Sequence, residues 1–243
     1  MFKTFFKVFI LIGLIAYLVF ALVKFSCHDK NQVCQGLDIQ ILDGQCTDFV
    51  NENEVRELLV SKKLFPEGRA LDSINLAELE SVLVASPYID RALCYKTAQQ
   101  TIMMRITPRI PILHVLNTEG DDFYIDNCGG TMPRGHHTID LIVMSGHVDR
   151  ATAGRRYSAI GMQLATDSFW QNQIEEIHVT PEGELEITPR VGDHIILLGD
   201  TSDFTGKLSR MKTFYTEGLN KAGWNKYKTI SLKYAGQVVC TKR

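Results

Sequence analysis

The sequence lacks most of the patterns that carry chemistry. None of its six cysteines stands in a Cys-x-x-Cys pair, so the spacing of a structural zinc site is missing. Neither Gly-x-Ser-x-Gly nor a phosphate-cradling glycine-rich loop occurs, and Gly129-Gly130, following Asp126-Asn127-Cys128, reads as a tight turn. Excess charge of one sign is missing too. Against 28 Asp and Glu stand 26 Lys and Arg, a net charge of -2 with no basic stripe for phosphate contacts, which argues against nucleic acid. His136, His137, Asp140 and His147 form the one cluster that resembles metal ligands. Their spacing fits no zinc pattern, and adjacent histidines on a strand would point to opposite faces, so they read as a polar loop. Asp121-Asp122 and Glu175-Glu176 read as solvated turn charges. No catalytic residue, metal ligand, cofactor or small-molecule substrate is assigned, and a binding or scaffolding protein is favoured over an enzyme.

The sequence is richest in information at its start. Val8 to Val23 carries no charged residue, and Lys24 closes the run. About 16 apolar residues, nearer 20 if Phe5 and Phe25 join while Lys7 and Lys24 snorkel outward, just span a hydrocarbon core. Lys3, Lys7 and the terminal amine outweigh Lys24, which keeps the short tail cytoplasmic and exports the remaining ~220 residues. Two alternatives compete. A signal peptide cut after Val19-Phe20-Ala21 is disfavoured because Leu22 and Val23 continue the apolar run. A lipoprotein signal ending at Cys27 has the wrong residues, Lys24-Phe25-Ser26, before its cysteine. The expectation is a single-span anchor over residues 1–25, including its tail, and a polar stalk over 26–35.

Beyond the anchor, 45% apolar and 22% charged residues are ordinary for a globular protein. Leu37 to Leu42 alternates as a half-buried strand does. Asn51 with Glu54, and Asn75 with Glu78, have capping-box spacing before apolar helical faces, and Pro66-Glu67-Gly68 and Pro87 break the two helices. Two β-rich stretches follow, Ile89 to Tyr95 and Thr101 to Thr107, around the turn Thr97 to Gln100. The expected core of this strand-helix-helix-strand-strand unit is Ile39, Ile41, Val55, Leu58, Leu59, Leu79, Val82, Leu83, Leu93 and Ile102. Pro108 and Pro111 mark a boundary. The second half reads as strand-rich: strands near His114, Phe123 and Asp140 to Met144, a helix over 151–168, and a hairpin of Ile174 to Thr180 with Glu184 to Thr188. A buried strand at His194 to Leu198 and a helix through Leu208, Met211, Tyr215 and Leu219 come next. Ile230 to Tyr234 and Gln237 to Thr241 read as the last strands.

Six cysteines allow fifteen pairings, and the sequence does not choose among them. Cys34 and Cys46 are the closest downstream pair with a loop of useful size and the candidate disulfide. Their bridge would close a loop of about a dozen residues and contribute roughly 3 kcal/mol on the chain-entropy account.

The layout as a whole resembles the bacterial cell-division family FtsQ (DivIB in some lineages), in a version like that of the Bacteroidetes. The matching stretches are dispersed along the chain. Ser86-Pro87-Tyr88-Ile89-Asp90-Arg91-Ala92 and Ile106-Thr107-Pro108-Arg109-Ile110-Pro111 resemble the family's first-domain landmarks. Tyr124-Ile125-Asp126-Asn127-Cys128-Gly129 resembles its Asp-x-x-Gly turn, and Leu141 to Gly146 resembles another family stretch. Leu197-Leu198-Gly199 with Lys207-Leu208, and Ile230-Ser231-Leu232-Lys233-Tyr234, resemble later ones. Departures are the short tail, Lys233 where Arg is usual, Asp200 where some relatives carry a basic residue, and the extra cysteines.

The resemblance implies an α+β chain: one transmembrane helix, a POTRA domain of β-α-α-β-β order over 36–109, and a strand-rich β domain with flanking helices over 110–243. It implies a non-enzymatic member of the septum-building complex in the cell inner membrane. Such a protein would bind FtsB-like and FtsL-like partners and help to recruit and control the septal peptidoglycan synthase. The expected partner-binding segment is a terminal edge strand made of Ser231, Leu232, Lys233, Tyr234, Ala235, Gly236, Gln237 and Val238, with Tyr234 as aromatic anchor and Lys233 for a partner carboxylate. A POTRA-containing transport or assembly factor would need repeated POTRA units or a barrel tail. A membrane-anchored hydrolase would need a convergent site.

Overall fold

The computed structural model describes residues 10–21, 32–42, 49–135 and 139–243. Residues 10–21 form a helix, α1, whose large apolar side chains are exposed, Tyr17 at 72%. The remainder of the expected span, 8–9 and 22–23, lies outside the described residues, and no described helix is long and apolar enough to cross a membrane. The folded chain divides into two compact units, one built within 1–42, 52–85 and 91–106 and the other within 43–51, 86–90 and 107–243.

The first unit contains β1 (Gly36–Ile41), α2 (Glu52–Ser61), α3 (Leu76–Val84) and most of β2 (Ile89–Lys96) and β3 (Thr101–Pro108). α3 starts where Asn75 Oδ1 accepts from the Glu78 amide at 3.4 Å, satisfying one of the orphan donors of its first turn. The sheet order is β1-β3-β2, with β1 parallel to β3 in the register Leu37↔Ile102, Ile39↔Met104 and Ile41↔Ile106. Val55, Leu59, Leu79, Leu83 and Ile102 are buried as expected, whereas Ile39, Ile41, Leu58 and Val82 are half-buried. Leu93 was expected in the core and is 55% exposed; its neighbour Cys94 takes the buried place. The phase of β2 is set by the pairing of its sheet rather than by side-chain size. Ile89 shares the parity of Leu93 but belongs to the 86–90 stretch of the second unit. Inside, burial pushes the Cys94 thiol up to about 12, with the nearby Glu80 carboxylate adding to it.

The second unit is one mixed sheet of nine strands in the order β12-β11-β10-β9-β8-β7-β4-β5-β6. Its elements are β4 (Pro111–Asn117), β5 (Asp122–Asp126), β6 (Thr131–Pro133), β7 (Val143–Gly146), α4 (Arg150–Thr166), α5 (Ser168–Gln173) and β8 (Ile174–Val179). They continue with β9 (Leu185–Pro189), β10 (Ile195–Gly199), α6 (Phe204–Thr213), β11 (Tyr227–Ser231) and β12 (Val239–Lys242). Two crossovers organise it. β7 and β8 are parallel with α4 and α5 between them, and β10 and β11 are parallel with α6 between them. α4 is capped by Asp149, whose carboxylate accepts from Ala151 N at 3.1 Å and Thr152 Oγ1 at 2.8 Å. Tyr157, Leu164, Trp170, Leu208, Met211 and Tyr215 from the helices join the strands in one apolar core. α6 runs on through a π-turn, Phe214–Leu219, and a last turn, Asn220–Ala222 (α7), ending at Gly223 with φ +96°.

A candidate docking edge

β12 stands last in the sheet order, so one side of its backbone has no neighbouring strand among the described residues. It pairs antiparallel with β11, Ser231↔Val239 and Ile230↔Cys240, and β11 in turn pairs with β10, Leu197↔Ser231. This corrects the expectation of an edge strand over Ser231 to Val238. Ser231 ends β11, residues 232–238 form the connection, and the edge strand is Val239–Lys242. Gly236 supplies the reason: its φ of +71° turns the chain, and the Gln237 amide reaches back to Tyr234 O at 3.3 Å.

Within that connection the eight expected residues separate by burial. Leu232 is wholly buried in the core, its amide bonded to Leu197 O at 2.9 Å. Lys233, Tyr234, Ala235, Gly236 and Gln237 are exposed, Tyr234 at 60%, and Ser231 and Val238 are half-buried. Leu232, Lys233 and Ala235 line a cavity of about 230 Å³ with Gly199, Asp200 and Lys207. Lys207, although buried, reaches Asp200 Oδ1 at 2.7 Å, and this bond helps to hold the Asp200 carboxyl down at about 2. Asp200 is thus occupied internally. Phe214, Gly218, Gly236 and Val238 line a second, more apolar cavity of about 480 Å³, which shares Arg210 with the first. A Cβ on Gly218 would meet the Phe214 ring at 2.8 Å, so the glycine makes room for that ring. Sequence reasoning missed this groove; the Phe214…Gly218 spacing in the π-turn was its only signal.

The constellation closest to catalytic chemistry lies on neighbouring strands. Ser145 Oγ sits 2.9 Å from His178 Nδ1 and donates its hydrogen to Glu176. The serine oxygen is thus shared between a histidine and a carboxylate, whereas in a nucleophile-base-acid relay the histidine stands between the other two. Ser145 and His178 stand opposite each other in the register Glu186↔His178↔Ser145, and Glu176 lies two residues before His178 on β8, opposite Val143. Of the expected polar loop, 136–138 lies outside the described residues, and among those described no group of three or more His, Cys, Asp or Glu is arranged for a metal. The Cys34 thiol is buried and donates to Gly36 O at 3.3 Å, while Cys46 lies outside the described residues.

Comparison with known proteins agrees with these two units. Residues 32–107 match the POTRA-like domain, and residues 110–241 match the family described as FtsQ/DivIB, C-terminal related. No individual curated protein matches the chain. The second match covers more than half of the sequence and takes in the whole nine-stranded sheet except the last residue of β12. On that ground the chain belongs to the FtsQ/DivIB family.

Proposed function

We propose that this chain is a membrane-anchored scaffold of the bacterial division machinery, placed at the septum in the inner membrane. Cell-division scaffolding is the role that goes with its family. In this reading residues 1–25 are tail and single span, 26–35 a stalk, 36–109 the POTRA domain and 110–243 the β domain, the last two outside the cytoplasm. The exposed apolar face of α1 and the charge-free run around it support the anchor. The scaffold binds FtsB-like and FtsL-like partners and through them recruits and controls septal peptidoglycan synthesis.

One observation carries the partner reading: the free edge of β12 beside an exposed aromatic, Tyr234, and an exposed cation, Lys233. Main-chain groups along the edge supply register and affinity for an added strand, and the flanking side chains supply selectivity. An anchor shared with membrane-bound partners raises their effective concentration. The test is capture of the full chain from detergent extracts of dividing cells. FtsB-like and FtsL-like proteins should elute with it and disappear when Val239 to Lys242 carries a proline at an outward-facing amide. Recovery of the chain without either partner overturns the reading.

A further inference from the structure

Lys233 already has a carboxylate. Its ammonium pairs with Glu184, and its methylene stem passes over Gly199, where a Cβ would stand only 3.0 Å from Lys233 Cγ. Glu184 is fixed where the β8–β9 hairpin closes, its amide donating to Thr180 Oγ1 at 3.3 Å and its carbonyl accepting from Thr180 N at 2.9 Å. The other charges of the same cavity are also matched, Asp200 with Lys207 at 2.7 Å and Asp203 with Arg210 at 3.3 Å. Those two pairs each keep a well-covered cation, with side chains 6% and 24% exposed. Lys233 and Glu184 are open to solvent at both ends, 37% and 41%. A solvent-screened pair is the one most readily exchanged.

We propose that Glu184 is an internal stand-in for a carboxylate of the docking partner. It occupies Lys233 in the free protein and releases it when an acidic side chain of the added segment arrives. The inference rests on the edge-docking reading above. Exchange breaks one ion pair and makes one, so the net electrostatic gain is small, and the freed Glu184 repels the incoming carboxylate. Glu184 therefore limits affinity, and it penalises approach until Lys233 has turned to the partner.

The experiment measures binding of the full chain in detergent to the full-length FtsB-like protein of the same genome. It compares wild type, Glu184→Gln, Lys233→Gln and the double variant at low and high salt. Glu184→Gln should bind about two- to five-fold tighter at low salt. The gain should shrink as ionic strength rises and be smaller in the Lys233→Gln background, where Glu184 has no cation to withhold and only its repulsion of the partner carboxylate is relieved. If wild type binds and Glu184→Gln binds equally or more weakly, the stand-in is wrong. If wild type does not bind at all, the docking reading fails instead. The pair is then decided without a partner by unfolding the same four proteins: strictly additive losses from the two substitutions would mean that Glu184 does not hold Lys233.

Discussion

His194 Nε2 lies 2.8 Å from the Tyr215 hydroxyl, and both groups are buried in the core of the second unit. The other ring nitrogen, Nδ1, is buried with no hydrogen-bond partner among the described residues, backed by Gly192 at φ +90°. A protonated imidazole would need a second acceptor there. Burial accordingly pushes His194 below its usual range, with Arg243 adding to the effect and Asp193 opposing it. In the unfolded chain the imidazole titrates near 6.5, so below that pH the unfolded state binds the proton more readily. The stabilisation is complete above about pH 6.5 and is lost as pH falls from there toward the lower folded value. Thermal unfolding followed from pH 8 to pH 5 should show this decline, and His194→Gln should lose that part of it.

The first unit offers a graded test of burial. Leu83→Ala removes a wholly buried side chain and should cost on the order of 2–5 kcal/mol in denaturant unfolding. Leu58 is half-buried, so its truncation should cost clearly less, and Leu93→Ala should change stability little. Equal losses at Leu83 and Leu93 would show that the β2 phase is wrong.

Gly154 packs α4 directly on the loop after β5, where a Cβ would stand 2.0 Å from Gly129 O. The contact is backbone against backbone, so no side chain can rotate away. Gly154→Ala should destabilise by about 1–3 kcal/mol despite the better helix propensity of alanine. Gly68→Ala, with open space around it but φ +79°, separates backbone strain from crowding.

Docking at the β12 edge predicts that Tyr234→Ala weakens partner binding by roughly 1–4 kcal/mol while circular dichroism stays unchanged, since the ring is exposed. Lys233→Glu should weaken it further at low salt. Leu232→Ala should act differently, lowering stability through the core. Wild-type affinity in both Tyr234→Ala and Lys233→Glu would move the interface elsewhere.

Much of this architecture was legible because local signals and tertiary demands agree. Asn75 caps α3, Pro181-Glu182-Gly183 joins β8 to β9, and the strand-helix-helix-strand-strand order holds. The losses come where a nonlocal partner sets the answer. Leu93 is larger than Cys94, and only the sheet decides which faces inward. Residues 231–238 alternate well enough to pass for a strand, yet Leu232 belongs to the core and Gly236 reverses the chain. At the candidate site, Lys233 and Tyr234 were readable as neighbours in sequence. The Glu184 carboxylate, on a hairpin 49 positions earlier, was not.

β1 has consequences for how the chain matures. Its only strand neighbour among the described residues is β3, joined in parallel register from Gly36↔Thr101 onward, and side chains 65 positions apart, Gln40 and Arg105, are hydrogen-bonded across it. A chain that emerges amino end first must therefore release everything up to Ile106 before its earliest strand has an edge to join. Local turns cannot shorten that wait, because the closure they would assist is the longest in the unit. The unit's folding clock is thus started by delivery of its last strand, and nascent chains halted short of that point should remain open to protease.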